Sequence, residues 1–148
     1  MIKVRTQTDS DSDYVKSIIS TTTDELRAIY RPVNSHAQSE IEESICVVAV
    51  INKNIVGAAK YLINKNNILI RNLAVSPDYR KQGVARAIIE HATLKGKSEL
   101  VLSTIKETGN INIFLHLGFN VDKEFISENF EGIHGKQVTQ VKMRKKIV

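Results

Sequence analysis

Apolar and polar residues alternate through residues 2–6 (IKVRT), the period of a strand with one buried face. The short polar side chains of Asp9, Ser10, Asp11 and Ser12 follow, and such residues open helices and turns. Val15, Ile18 and Ile19 continue at helical spacing, and Thr22 or Thr23 ahead of Asp24 and Glu25 reads as a second helix start, with Pro32 as its stop. Two short helices are therefore expected after the first strand, then a loop over residues 33–39, which show no period. Three apolar runs come next, ICVVAVI, IVGAAKYLI and ILIRNLAV, separated by the turn-forming NKN and NKNN. They predict an antiparallel meander.

Beyond Pro77, Ala85, Ile88, Ile89 and Ala92 share one helical face, and the helix should end near Gly96. ELVLS reads as a strand, and residues 110–117 as a short helix with Ile111, Phe114 and Leu115 on one side, closed by Gly118. FNVDKEF and the alternating VTQVKM supply two more strands. The predicted order is βααβββαβαββ. It describes an α+β fold, a central mixed but mostly antiparallel sheet flanked by about four helices, as a single domain over residues 1–148 without repeat or linker.

A chain of 148 residues with 42% hydrophobic content can bury a core without disulfide or metal staples. The opening residues carry no leader-like apolar stretch, and no run reaches the roughly 18 apolar residues of a membrane span. A soluble, cytoplasmic protein with no membrane partner is expected. Cys46, inside an apolar run, is expected to be a small buried hydrophobe. The excess of 21 Lys and Arg over 16 Asp and Glu, a net charge of +5, favours anionic ligands without separating a cofactor phosphate from nucleic acid. With 5% aromatic residues and no Trp, no stacking platform for single strands stands out, which disfavours nucleic acid. The basic KMRKK of residues 142–146 is read as a solvated strand end. His36, His91, His116 and His134 lack the spacing of a metal site.

The segment LAVSPDYRKQGVARAII carries the chemistry. A strand runs into Ser76 and Pro77, and a helix starts at about Gly83. Backbone N–H groups at a helix start lack partners and carry part of the helix dipole, so a glycine there lets a diphosphate approach the bare main chain. Each charge-assisted hydrogen bond is worth roughly 1.5–3 kcal/mol, and Arg80, Lys81 and Arg86 add a positive field. The chain lacks the G-x-x-x-x-G-K-[ST] and G-x-G-x-x-G phosphate loops.

The string Arg80-Lys81-Gln82-Gly83-Val84-Ala85, preceded by Leu73-Ala74-Val75-Ser76-Pro77, resembles the coenzyme A loop of the GNAT superfamily of N-acetyltransferases. A second family signature, an Asn before a helix ending in Leu-Gly-Phe, is matched by Asn110 and Leu117-Gly118-Phe119. The resemblance implies an acetyl-CoA dependent N-acetyltransferase acting on a primary amine of a small molecule or peptide. It also implies a cofactor site at Leu73, Ala74, Val75, residues 80–86, Asn110 and Phe114; the last strands often mediate pairing in this superfamily, which leaves a homodimer open without fixing the oligomer.

The same resemblance exposes two departures. Many members place a tyrosine four residues before the glycine of Leu-Gly-Phe as general acid, and this chain has Phe114, which cannot donate a proton. Members similar to histone acetyltransferases carry a glutamate base early in the fourth strand, where this chain has Leu69. Catalytic identities are therefore unassigned, with Glu43 and His134 as weak candidates, and Glu25, Tyr30, Arg31 and Glu40 in segments where the family builds its acceptor site. A coenzyme A sensor or interaction module without strong catalysis is the competing reading, and a basic nucleic-acid binder a remote third.

Overall fold

The computed structural model describes residues 1–33 and 43–147. Strand β1 (Lys3–Thr6) leads into helix α1 (Ser12–Arg27) and a short strand β2 (Tyr30–Pro32). The meander is β3 (Ser44–Ile51), β4 (Asn54–Ile63) and β5 (Asn67–Val75). Helix α2 (Val84–Thr93) crosses to β6 (Glu99–Ile105), and helix α3 (Ile111–His116) precedes β7 (Asn120–Gly132) and β8 (Gln137–Lys146). All eight strands form one sheet in the order β1-β3-β4-β5-β6-β8-β7-β2. Only β5 and β6 run parallel, as a helical crossover requires; the other neighbours are antiparallel. The expected mixed, mostly antiparallel α+β sheet is present.

Helices cover both faces, which is why the central strands read as unbroken apolar runs. Val47 and Ala49 of β3 join Ile88, Ile89, Leu100, Phe119 and Met143 in the main core on the α2 side. Val48, pointing the other way, packs with Val15 of α1 and Ala58 of β4. Among the described residues, no helix is long and apolar enough to cross a membrane.

Four expectations need correction. The two helices after β1 are one helix of 16 residues, because no Gly or Pro interrupts it; within it Thr21 Oγ1 donates to the Ser17 carbonyl at 3.1 Å. Pro32 ends no helix. It lies on the edge strand β2, opposite Phe130, where a missing N–H costs nothing. Among the described residues the order is thus βαββββαβαββ, with three helices rather than four. Cys46 is exposed, because the apolar patch beneath α1 does not extend to its position opposite Lys60. Residues 142–146 do end β8, with Lys146 exposed, but the segment is not solvated throughout, since β8 lies between β6 and β7; Met143 is buried, Arg144 pairs with Glu99 and Asp122, and Lys145 Nζ donates to the Leu117 carbonyl at 2.8 Å.

The β1–α1 corner is held by a buried charge. The Asp11 carboxylate, 5% exposed, accepts from Arg5 at 2.7 and 3.1 Å and from the Thr8 N–H at 2.8 Å. Arg5 foremost, then the Thr8 amide, holds this carboxyl far below the usual range. A depressed carboxyl contributes stability that is complete above its ordinary pKa of about 3.9 and is lost as pH falls below it. Asp11→Asn should cost about 1–2 kcal/mol at neutral pH, Arg5 being partly solvated, and the difference from the parent should shrink between about pH 4 and pH 2 in denaturant titrations. A constant difference across that range would remove the carboxylate from the account.

Candidate active site

Strands β5 and β6 pair at only three positions, Asn67 with Glu99, Ile68 with Leu100 and Leu69 with Val101. Beyond them the strands part, although β5 continues to Val75 and β6 to Ile105. A bulge marks the divergence: Asn72 takes a φ of 54°, and the register with β4 shifts between Ala58 and Lys60. The β6-facing side of residues 70–75 is therefore a strand edge inside the sheet. A cavity of about 900 Å³ fills the opening. Its walls are Ile19, Thr22, Thr23 and Leu26 from α1, Tyr30 and Pro32 from β2, and Phe125 and Phe130 from β7, with Asn110 and Phe114 at the α3 side.

The chain leaving β5 makes a 3-10 turn over Pro77–Tyr79, then places Lys81 at φ 63° and Gly83 at φ 87° before α2 begins. Gly83 is the residue preceding the helix, and no side chain caps the first turn of α2, so those N–H groups are left to a ligand or solvent. A Cβ added at Gly83 would meet nothing nearer than Ile2 Cδ1 at 4.0 Å. The glycine is needed for its left-handed backbone, and the surface above it is open.

The loop's basic residues serve a different end from the one their charge suggests. Arg80 grips both oxygens of Glu25 on α1, at 2.8 and 2.5 Å, and its Nε donates to the Val75 carbonyl at 3.2 Å. Arg80 lowers the carboxyl pKa of Glu25 in turn. Arg86 donates to the His116 carbonyl at 3.2 Å, tying α2 to the end of α3. Lys81 has no ion pair among the described residues.

Leu69, Leu73, Ala74, Asn110 and Phe114 all line the cavity, while Val75 packs against the core at the end of the open edge. Phe114 is set edge-on to Phe119, centroids 6.1 Å apart, and the Phe119 N–H donates to its carbonyl at 3.0 Å. Glu43 and His134 are not in the cavity wall, and Arg31 lies 3.4 Å from Glu131. Glu40 and His36 lie outside the described residues. His91 contacts the hydroxyl of buried Tyr61 at 3.1 Å and His116 donates to the Asn112 carbonyl at 2.7 Å, both structural contacts. No metal-ligating cluster occurs among the described residues.

The profile described as "Acetyltransferase (GNAT) domain" matches residues 42–121. Among solved structures, the ribosomal-protein-S18-alanine N-acetyltransferase of Escherichia coli is 18% identical with a TM-score of 0.72, covering 99% of this chain and 94% of its own. The spermidine N-acetyltransferase of Vibrio cholerae in complex with CoA and spermine is 14% identical with a TM-score of 0.75, covering 98% and 95%. An N-acetyltransferase of Staphylococcus aureus Mu50 is 18% identical with a TM-score of 0.68, covering 99% and 97%. No curated protein sequence matches the chain significantly.

One residue that supports the loop went unnoticed in the sequence. A Cβ on Gly57 of β4 would stand 2.7 Å from Val84 Cγ1 and 3.2 Å from the Ala74 carbonyl, so the first turn of α2 rests directly on this strand. Its signal was available, since a glycine inside an apolar strand marks a close approach. Gly57→Ala should lower stability by about 1–3 kcal/mol through overpacking. The check is thermal unfolding, and an unchanged Tm would mean that α2 shifts freely.

Proposed function

Since the chain belongs to the GNAT acetyltransferase family, we propose that it transfers the acetyl group of acetyl-CoA to a primary amine of a small molecule or peptide by direct attack in a ternary complex. The observation that carries this reading is the strand edge at residues 70–75, opened by the three-pair limit of β5 and β6 beside an uncapped helix start. An edge of unpaired amides and carbonyls suits an amide-bearing chain laid along it, and the α2 start suits a diphosphate.

In this reading the main-chain N–H groups of Lys81, Gln82, Gly83, Val84 and Ala85 hold the diphosphate, with Arg80 and Arg86 fixing the loop and helix that present them. Leu73, Ala74 and Val75 offer the edge, and Asn110 and Phe114 close the site from the α3 side. The cosubstrate supplies an activated acyl carbon: a C–N bond forms as the C–S bond breaks, the amine loses a proton and the thiolate gains one. The protein contributes position and a partly dry cavity, with strand N–H groups as donors to the carbonyl oxygen. Phe114 and Leu69 transfer no proton, and neither a carboxylate nor a histidine lines the cavity among the described residues. In this reading the amine enters already neutral and its proton passes to water.

The vacant acid and base positions favour one alternative, a coenzyme A sensor, and a thiol-release assay with an amine panel separates the two. Turnover supports transfer; tight cofactor binding without turnover on any amine supports the sensor. Gly83→Glu adds a left-handed penalty of about 1–2 kcal/mol and a negative charge, so calorimetry should show at least a tenfold loss of coenzyme A affinity with only a few degrees' fall in Tm. Unchanged affinity would contradict the loop assignment. The pH profile is a separate check: kcat/KM should rise about tenfold per pH unit up to the acceptor's own pKa and shift with that pKa between acceptors. An inflection near pH 6–7 common to all acceptors would instead reveal a protein base.

A further inference from the structure

The cavity carries a row of cations across its floor. Leu69 pairs with Val101, so two residues further on Arg71 and Ser103 stand at the same level on either side of the opening. Ser103 pairs with Lys142, and Lys142 with Lys123. Ile70, Leu102, Val141 and Met143, alternating with these residues, are buried in the α2-side core, which turns Arg71, Ser103 and Lys142 toward α1 and the cavity. Gln140, on the same face of β8, donates to Ser103 Oγ at 3.2 Å.

These three cations have no ion pair with any described carboxylate, and no carboxylate lines the cavity among the described residues. Four acidic residues of the surrounding strands are engaged elsewhere: Glu124 with Lys106, Glu131 with Arg31, Glu99 and Asp122 with Arg144. Like charges directly opposite on adjacent strands destabilise a sheet, and Lys123 and Lys142 are such a pair. An anion between them would relieve that repulsion and could be shared with Arg71 across the opening. A polycationic amine would meet the opposite field.

We propose that the acceptor is a small amine bearing a carboxylate or phosphate, its anion held by Arg71, Lys123 and Lys142 and its amine directed into the β5–β6 opening. The inference rests on the acetyl-transfer reading of the same cavity.

The test compares O-phosphoethanolamine with ethanolamine for the phosphate, β-alanine with β-alaninamide for the carboxylate, and adds spermidine. Turnover is read by thiol release, and binding to the coenzyme A-loaded protein by calorimetry. The anionic member of at least one pair should show a kcat/KM and an affinity about tenfold or more above its neutral counterpart, and spermidine should be the poorest acceptor. Lys142→Met should shrink that preference at least fivefold. Lys65→Gln, the same charge change in the remote β4–β5 turn, should leave it intact, which separates a local site from the field of a basic protein. Equal affinities within both pairs, preference for spermidine, or equal effects of the two substitutions would overturn the anion site while leaving acetyl transfer standing. Tenfold tighter binding of an anionic amine with no turnover on any acceptor would uphold the anion site and sink acetyl transfer instead.

Discussion

The site depends on one constraint: β5 and β6 run parallel for three pairs and then part. A parallel sheet normally satisfies every backbone group by its neighbour, and an internal edge is costly when buried without partners. Here the cost is reduced because the edge faces a cavity that admits water or a ligand. The bulge at Asn72 and the close seat of α2 on Gly57 maintain the divergence, because β5 cannot straighten toward β6 without altering its register on β4. The cavity, the loop and the cation row all follow from this separation.

Arg80 joins the two halves of the site. Its guanidinium links the loop before α2 to Glu25 on α1, whose residues Thr22, Thr23 and Leu26 wall the cavity. The loop, which also rests on the core through Tyr79, is thereby fixed against the helix bordering the proposed acceptor space. Partly exposed, the pair contributes little to global stability, but it sets the distance between the two surfaces that receive the two substrates in the proposed reaction.

Legibility in the sequence followed the range of the interactions. The turn before α2 was readable because its determinants are local: a left-handed glycine, a following amphipathic period, a Pro before it. The meander and the later elements were readable for the same reason. The fusion of two expected helices into α1 was not, because Thr23-Asp24-Glu25 imitates a helix start and only the continuing backbone bonds overrule it. Strand β2 was hidden since its three residues gain strand character only from β7. The interior position of β8 and the exposure of Cys46 depend on strand order and on how far α1 reaches, and neither is encoded locally. The cation row was invisible for a related reason: Arg71, Lys123 and Lys142 are separated along the chain and meet only through register.

The two proposed anion sites differ in kind, and the difference bears on how one fold serves different acceptors. At the α2 start the donors are main-chain amides, whose presence is independent of side-chain identity so long as Gly83 keeps its backbone and Gly57 leaves room for the helix. Arg80, one of the three cations expected to add a positive field there, is already matched by Glu25. Across the cavity floor the field comes from side chains on three strands, each replaceable without disturbing the sheet, since their backbones are fixed by pairing. In the proposed reading, cosubstrate binding is built into the backbone path, whereas acceptor choice rests on a few cavity side chains. A single exchange of a lysine for a glutamate on β7 or β8 would cut the net charge of the row from +3 to +1 without moving a strand.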